Sequence, residues 1–304
     1  MRVGIFAGDA TGPKPLSELV DGALQAEQDG FASYWLPWIV AHDPMVALAL
    51  AGARTTRIEL GTAVMRTYTR NPADLAPSAV TVAVATGGRF VLGVGPSHRP
   101  LIEDMFGYSF DHPVAHTEEY LSVLTRLLAD HKVDHDGRDF HVHFATYHPD
   151  PVPVPVILAA LGPKMLRVAG RLADGTFTWM TGPVTLASHT VPTITAAAAA
   201  AGRGAPRVIV GAPVLVTDDV DAGYELATTV FSGYGQMPSY QAMLAREGWD
   251  GPVRAAIVGD EDHVTTELER FRHAGATDFA AVEFDFTAER RQRTRSLLAA
   301  VATR

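Results

Sequence analysis

Short apolar runs recur along the chain, and segments with helical periodicity lie between them from one end to the other. The run RVGIFAG near Arg2 reads as a strand, and residues 16–28 then carry apolar positions at helical spacing. The same pairing repeats three times: SYWLP precedes a helix over 43–54, RIELGTAV (57–64) precedes the alanine-rich stretch 73–85, and RFVLGVG (89–95) precedes a loop and a helix over 117–128. PVILAA ending at Ala160, GTFTWM around Phe177, RVIVGAPVLV (207–216) and TDFAAVEFD at Thr277 supply the fifth to eighth strands. Strands that alternate with helices predict an α/β protein with parallel strands and crossover connections. Eight such pairs close into a (β/α)8 TIM barrel. A doubly wound open sheet is the rival, but it would show fewer strands and a G-x-G-x-x-G loop after the first, where this chain reads GDATGPK.

Two stretches interrupt the rhythm and are expected as insertions at the C-terminal face. KVDHDGRDFHVHF contains Asp136-Gly137 between alternating positions and reads as a small hairpin. Residues 218–251 are long for one helix, and GYGQMPSY within them predicts a break with exposed aromatic residues, suited to a lid over the barrel mouth. No composition shift marks a boundary, so residues 1–304 are expected to form one barrel domain.

Composition narrows the function classes. Apolar residues at 47% and charged residues at 19% suit a globular chain with a large core. A formal charge of −9 without any Lys/Arg run disfavours a nucleic-acid partner. The absence of cysteine removes disulfides, thiolate metal sites and thiol nucleophiles. The N-terminus turns polar too early for a signal peptide, and no apolar run is long enough to span a bilayer, so a cytoplasmic location is expected. His141 and His143 share one strand face at a spacing that can hold metal, but no third ligand stands nearby, and no metal site is expected. Arg290, Arg291, Arg293 and Arg295 on the last helix read as a solvated face.

The joint LAALGPKMLRVAG (158–170) carries the most chemistry. Gly162 lets the backbone approach a ligand, Pro163 fits the first helical position, and the free N–H groups of a helix start favour an anion, so the joint is either a phosphate site or an ordinary capped strand-to-helix connection. Lys164 beside them is either a point charge for a phosphate or a solvated lysine, and the latter is disfavoured at a helix N-terminus.

In a barrel of this kind chemistry lies at the C-terminal strand ends. In order they read LGTAVMRTYTRNP, VLGVGPSHRP, LAALGPKMLRVAG and ADGTFTWMTGP. Together these resemble the luciferase-like family and, within it, the oxidoreductases that use the deazaflavin coenzyme F420. The match keeps order and similar spacing from the first strand to about Asp285. Gly-Pro-Lys after the fifth strand leans toward the deazaflavin branch rather than the FMN enzymes.

The resemblance implies roles at matching positions. The third strand should end in a bulge, often with a non-prolyl cis peptide, that backs the flavin-like ring; Ala63 and Val64 stand there, with Met65 and Arg66 following. Ala159, Ala160, Leu161 and Gly162 match the cofactor-binding stretch, and Pro163, Lys164 and Met165 would meet the phosphate or its sugar-alcohol chain. His98 stands where some relatives have glutamate. It either donates a hydrogen bond or proton to a substrate receiving hydride, or bonds a neighbouring loop. Asp9 is an acid/base candidate and equally a turn former.

Alcohol- and sugar-phosphate-oxidising relatives carry an Asp-His pair after the second strand. This chain reads Trp35-Leu36-Pro37-Trp38 there, with His42 and Asp43 further on and Asp43 placed as a helix cap. The departure suits a reductase of an activated C=C or C=N bond in a pocket shaped by Trp38 and Trp179; either tryptophan is otherwise a core residue. The expected function is hydride transfer between F420 and a small organic substrate. The rivals are an FMN-dependent monooxygenase and a non-catalytic flavin-binding relative. The resemblance also suggests a homodimer.

Overall fold

The structure is a computed structural model that describes residues 1–7, 12–39, 41–150, 152–285 and 287–303. In chain order its elements are β1 (Arg2–Phe6), α1 (Leu16–Gln28), β2 (Ser33–Leu36), α2 (Pro44–Gly52), β3 (Glu59–Thr62), β4 (Met65–Arg66), α3 (Pro72–Ala85), β5 (Phe90–Gly95) and α4 (Pro113–Asp130). They continue as β6 (Lys132–Asp136), β7 (His141–Ala145), β8 (Val156–Ala159), α5 (Pro163–Leu172), β9 (Gly175–Trp179), α6 (Pro183–Thr185), α7 (Val191–Ala200) and β10 (Arg207–Val216). The last are α8 (Val220–Phe231), α9 (Pro238–Glu247), β11 (Ile257–Gly259), α10 (Glu261–His273), β12 (Asp278–Glu283) and α11 (Ala288–Ala302).

Eight strands close into a parallel barrel in the order β1-β2-β3-β5-β8-β9-β10-β12. Val3 faces Phe279 where β12 returns to β1, and Phe177 faces Ile209 across β9 and β10. The expected (β/α)8 architecture is therefore present, with α1 spanning the expected residues.

Inside the barrel, strand alternation stacks side chains in layers. Trp35, Val91, Ile157, Phe177, Ile209 and Ala280 make one apolar layer. Gly61 admits the indole: a Cβ there would lie 2.1 Å from the Trp35 ring. At the N-terminal end, Arg207 pairs with Glu59 at 2.8 Å and Asp278 at 2.7 Å, and Arg2 joins Glu59 at 3.1 Å. A hollow of about 390 Å³ beside this network opens at the N-terminal end, away from the strand ends where barrel chemistry occurs. Outside the barrel, Val3, Leu60, Leu92 and Leu158 pack in the core shared with the helices.

Several boundaries differ from expectation for identifiable reasons. The third strand stops at Thr62 rather than running to Val64 and resumes as β4, which pairs with β5 through Met65 and Val94; the bulge between them falls at Ala63 and Val64, where the family resemblance places it. Helix α4 starts at Pro113, earlier than 117, because proline occupies its first turn. The stretch 218–251 divides into α8, a 3₁₀ turn (Ser232–Gln236) and α9, and its Tyr240 is buried rather than exposed. Strand β11, which extends the sheet through Val214 and Ile257, had no clear periodic signal at three residues.

The hairpin β6–β7 is antiparallel, with Asp136 opposite His141. His141 and His143 pair with Asp136 and Asp134 across it. Among the described residues no three such side chains are grouped to hold a metal ion. Arg293 bridges Asp218 and Glu261. Arg295 departs from the expected solvated face: it is largely buried between Asp29 at 2.5 Å and Glu283 at 2.9 Å.

Candidate active site

The bulge between β3 and β4 shapes one rim of the mouth. The Ala63–Val64 peptide is cis. Where the ladder breaks, the Thr62 hydroxyl substitutes for backbone: it donates to the Gly93 carbonyl at 2.8 Å and accepts from the Gly93 N–H at 2.9 Å. Ala63 N–H donates to the Leu36 carbonyl at 2.8 Å and Thr67 N–H to that of Gly95 at 3.0 Å, so both flanks of the bulge stay anchored.

Small residues let three strand ends meet here. A Cβ on Gly95 would lie 2.9 Å from Val64 Cγ2 and 3.0 Å from Ala159 Cβ. Real contacts between carbons are near 3.5–4.0 Å, so Val64 and Ala159 close over a position only glycine fills without displacement. Ala63, Val64 and Ala159 are half-buried, leaving a low apolar surface across the ends of β3, β5 and β8.

The next residues run from that surface into α5. Gly162 occupies the N-cap with φ −74° and ψ 154° and gives the helix no side-chain cap, and no acidic residue stands in its first turn. Helices α2 and α3, by contrast, are capped by Asp43 and Asn71. Lys164 is exposed beside the uncapped end. His189, which sequence reasoning missed, holds the approach: its Nε2 lies 2.9 Å from the Leu161 carbonyl.

Not every expected cofactor residue presents a side chain. Met65, Ala160 and Met165 are buried in the core between barrel and helices, so any ligand contact from them is through backbone. Arg66 is also committed. Its Nη1 donates to the carbonyls of Trp38 at 2.8 Å and Ile39 at 2.9 Å, and its guanidinium lies 4.1 Å from the Trp38 ring centroid and 4.9 Å from that of Phe106. Burial lowers its pKa from the ordinary arginine value. Arg66 and Trp38 thus form a stacked wall beside the mouth.

The opposite rim is aromatic. Trp179 at the end of β9 packs edge-on to Phe6 (5.6 Å), Tyr234 (5.8 Å) and Phe231 (6.1 Å). Its Nε1 is buried without a hydrogen-bond partner among the described residues. Tyr234 packs against Tyr240 at 5.3 Å, and Tyr240 in α9 reaches His98 past the end of β5. The 218–251 stretch therefore arches over the mouth from Trp179 to His98. The signal for Tyr240 was its place in GYGQMPSY, but sequence alone left its burial and its partner unseen.

His98 follows Ser97, a non-glycine residue at φ 64°, and Met180 after Trp179 sits at φ 53°. Left-handed conformations outside glycine are uncommon and concentrate at functional loops. Burial lowers the His98 pKa, so the imidazole is neutral at pH 7. At the end of β2, His42 is exposed, while Asp43 accepts from the Met45 N–H at 2.8 Å and so serves α2. Asp9 lies outside the described residues.

The chain is similar in sequence and in fold to known proteins. The chain is 32% identical over 250 residues to a 5,10-methylenetetrahydromethanopterin reductase of Methanolobus tindarius, covering 81% of this chain and 75% of the relative. It is 31% identical over 259 residues to an F420-dependent glucose-6-phosphate dehydrogenase of Kineococcus radiotolerans, covering 80% and 75%. The coenzyme F420-dependent tetrahydromethanopterin reductase from Methanopyrus kandleri superposes with a TM-score of 0.81 at 22% identity, over 98% of this chain and 97% of that one. The model of the luciferase-like monooxygenase family matches residues 1–278, and the chain belongs to that family.

Proposed function

We propose that this chain is a coenzyme F420-dependent oxidoreductase that reduces an activated C=C or C=N bond in a small organic substrate. The observation that carries the reading is the convergence of Val64, Gly95 and Ala159 on one low apolar surface, running into the uncapped start of α5. A flat tricyclic ring fits the first part, and a phosphate with an acidic tail fits the second, where helix N–H groups and Lys164 supply positive potential. When bound, a reduced deazaflavin supplies the hydride.

The chain's own residues orient the partners and exclude water. Val64 backs the ring, the arch of Trp179, Tyr234 and Tyr240 covers the substrate side, and the Arg66–Trp38 stack closes the flank. His98 donates a hydrogen bond to the substrate atom that gains electron density. With Trp38 at the end of β2, no Asp-His pair stands there to deprotonate an alcohol, which favours the reductive direction.

The whole chain acts as one barrel domain in this reading. Helix α2 is apolar all round and leaves Val46 at 56% and Leu50 at 47% exposure, a face suited to a second copy in a homodimer. No described helix is long and apolar enough to cross a membrane, and we place the enzyme in the cytoplasm with small molecules as its partners.

FMN is the competing cofactor, favoured by the family's monooxygenases. Titration of the purified chain with F420 and, separately, with FMN, followed by fluorescence quenching, distinguishes them. Tighter binding of F420 and anaerobic hydride transfer from its reduced form support the proposal. Tight FMN binding with oxygen-dependent turnover replaces it with a monooxygenase, and tight binding with no turnover of any acceptor leaves a carrier.

A further inference from the structure

The 218–251 insertion does more than cover the mouth. Its helix α9 delivers one polar atom to the loop after β5: the Tyr240 hydroxyl lies 3.3 Å from His98 Nε2, with the two rings 5.2 Å apart. Tyr240 is 7% exposed. Its other ring neighbour is Tyr234, which meets it edge-on, and among the described residues its hydroxyl has no further hydrogen-bond partner.

This contact has two possible polarities. If His98 Nε2 carried the proton and donated to the phenol oxygen, the Tyr240 O–H would point into a buried region with no described acceptor. A buried donor left unpaired forfeits the hydrogen bond that water would have supplied. If the phenol donates, its proton is satisfied by Nε2 and the imidazole proton must sit on Nδ1. The second arrangement leaves nothing unpaired between the two rings. Burial lowers the His98 pKa and raises that of Tyr240, so both groups stay neutral around pH 7 and the proton remains on the phenol.

We infer that Tyr240 is a positioning residue that donates to His98 Nε2 and so fixes His98 as the neutral, Nδ1-protonated tautomer. His98 Nδ1 makes no hydrogen bond to a described residue. The consequence rests on the proposed reductase reading: the imidazole has Nε2 occupied and Nδ1–H free to donate. Such a group serves an acceptor with a hydrogen-bonding oxygen or nitrogen conjugated to the reducible bond, such as an unsaturated ketone or an imine. It does not serve as a base for an alcohol.

Histidine tautomers are read by long-range 1H–15N correlation on the full chain labelled with 15N-histidine, with His98→Gln assigning the signal among twelve histidines. The expected result is a His98 signal of the Nδ1–H form in the wild type. In Tyr240→Phe, which keeps the ring and its packing, the tautomer ratio should move roughly tenfold toward Nε2–H, and the His98 pKa should rise by about one unit, because the donor that stabilised the neutral ring is gone. Circular dichroism and melting temperature check that the fold is kept, and Tyr240→His, which can still donate, should restore part of the bias. With reduced F420 and cyclohex-2-enone as the probe acceptor, Tyr240→Phe should lower kcat with KM little changed.

An Nε2–H signal in the wild type, or an unchanged tautomer in folded Tyr240→Phe, overturns the inference. The magnetic-resonance arm needs no cofactor. A chain that fails to bind F420 but shows the Nδ1–H form therefore refutes the proposed function and leaves the role of Tyr240 standing.

Discussion

Gly95→Ala tests the cradle with a single methyl group. The new Cβ would lie 2.9 Å from Val64 Cγ2 and 3.0 Å from Ala159 Cβ, about 0.5–1 Å inside ordinary contact. Ala159 is fixed in β8, so Val64 yields; it is half-buried and has the mouth to turn into. Overpacking costs about 1–3 kcal/mol in a closed core, and a rim residue that can swing out belongs at the lower end, near 1 kcal/mol. The displaced valine then occupies space above Gly95, and a ring entering there must push it back. The expected loss in F420 affinity is about 1–2 kcal/mol, roughly tenfold in Kd. Gly211→Ala supplies the control: its Cβ would lie 2.8 Å from Phe177 in the barrel interior and 3.0 Å from Trp179, away from the ends of β3, β5 and β8. Thermal melts should show Gly211→Ala at least as destabilised as Gly95→Ala, and fluorescence titration should show the affinity loss confined to Gly95→Ala. Wild-type affinity in Gly95→Ala, or equal losses in both, would refute a ring seated over β3, β5 and β8.

Other perturbations address separate parts of the molecule. Lys164→Ala should weaken F420 binding about two- to fivefold at low ionic strength, with the difference closing in 1 M salt, as expected for a screened charge at a helix start; a salt-independent loss would point to packing instead. His98→Ala should leave F420 affinity nearly intact while slowing reduction of the acceptor, and unchanged turnover would remove His98 from the chemistry. At the far end of the barrel, burial alone would raise the Glu27 carboxyl, but the N–H groups of Ile58, Arg57 and Thr56 outweigh it and hold its pKa at about 2. A depressed carboxyl contributes stability above its unfolded pKa and loses it as pH falls through the folded one. Allowing for solvent screening, Glu27→Gln should therefore cost about 1–2 kcal/mol in urea unfolding at pH 7, and wild type and variant should converge as the pH approaches 2.

The barrel was legible because its signal is periodic and repeated: each strand run such as RVIVGAPVLV buries both faces and is followed by a segment of different period. Breaks in that signal were less legible. The family resemblance places a bulge at Ala63 and Val64, but the periodicity of RIELGTAV does not mark Thr62 as the last regular residue, because the interruption is stabilised by the Thr62 hydroxyl bonding to Gly93, thirty-one positions away. Arg66 is expected beside the cofactor, yet its partners are carbonyls of the β2 loop and the Trp38 face, contacts that exist only once β2 and β4 are adjacent. Arg295 was misread for the same reason, since Asp29 and Glu283 reach it from distant parts of the chain. Long-range side-chain pairing decides these residues, and periodicity carries no information about it.

In the proposed function, the two rims of the mouth would divide the labour of a hydride-transfer site. A cofactor used in every turnover needs a fixed, shape-matched seat, and the small residues Gly95 and Ala159 with the wedge of Val64 belong to strand ends locked in the barrel. A substrate must enter and leave, and the aromatic residues that would cover it come largely from the insertion between β10 and β11. Tyr240 belongs to the second group yet bonds to His98 of the first. That contact makes the state of the imidazole depend on whether the insertion is seated. An insertion lifted from the mouth would release His98 Nε2 and free the ring to change tautomer. In the inferred arrangement the Nδ1–H form is favoured while Tyr240 is seated against His98, the state in which the insertion also covers the mouth.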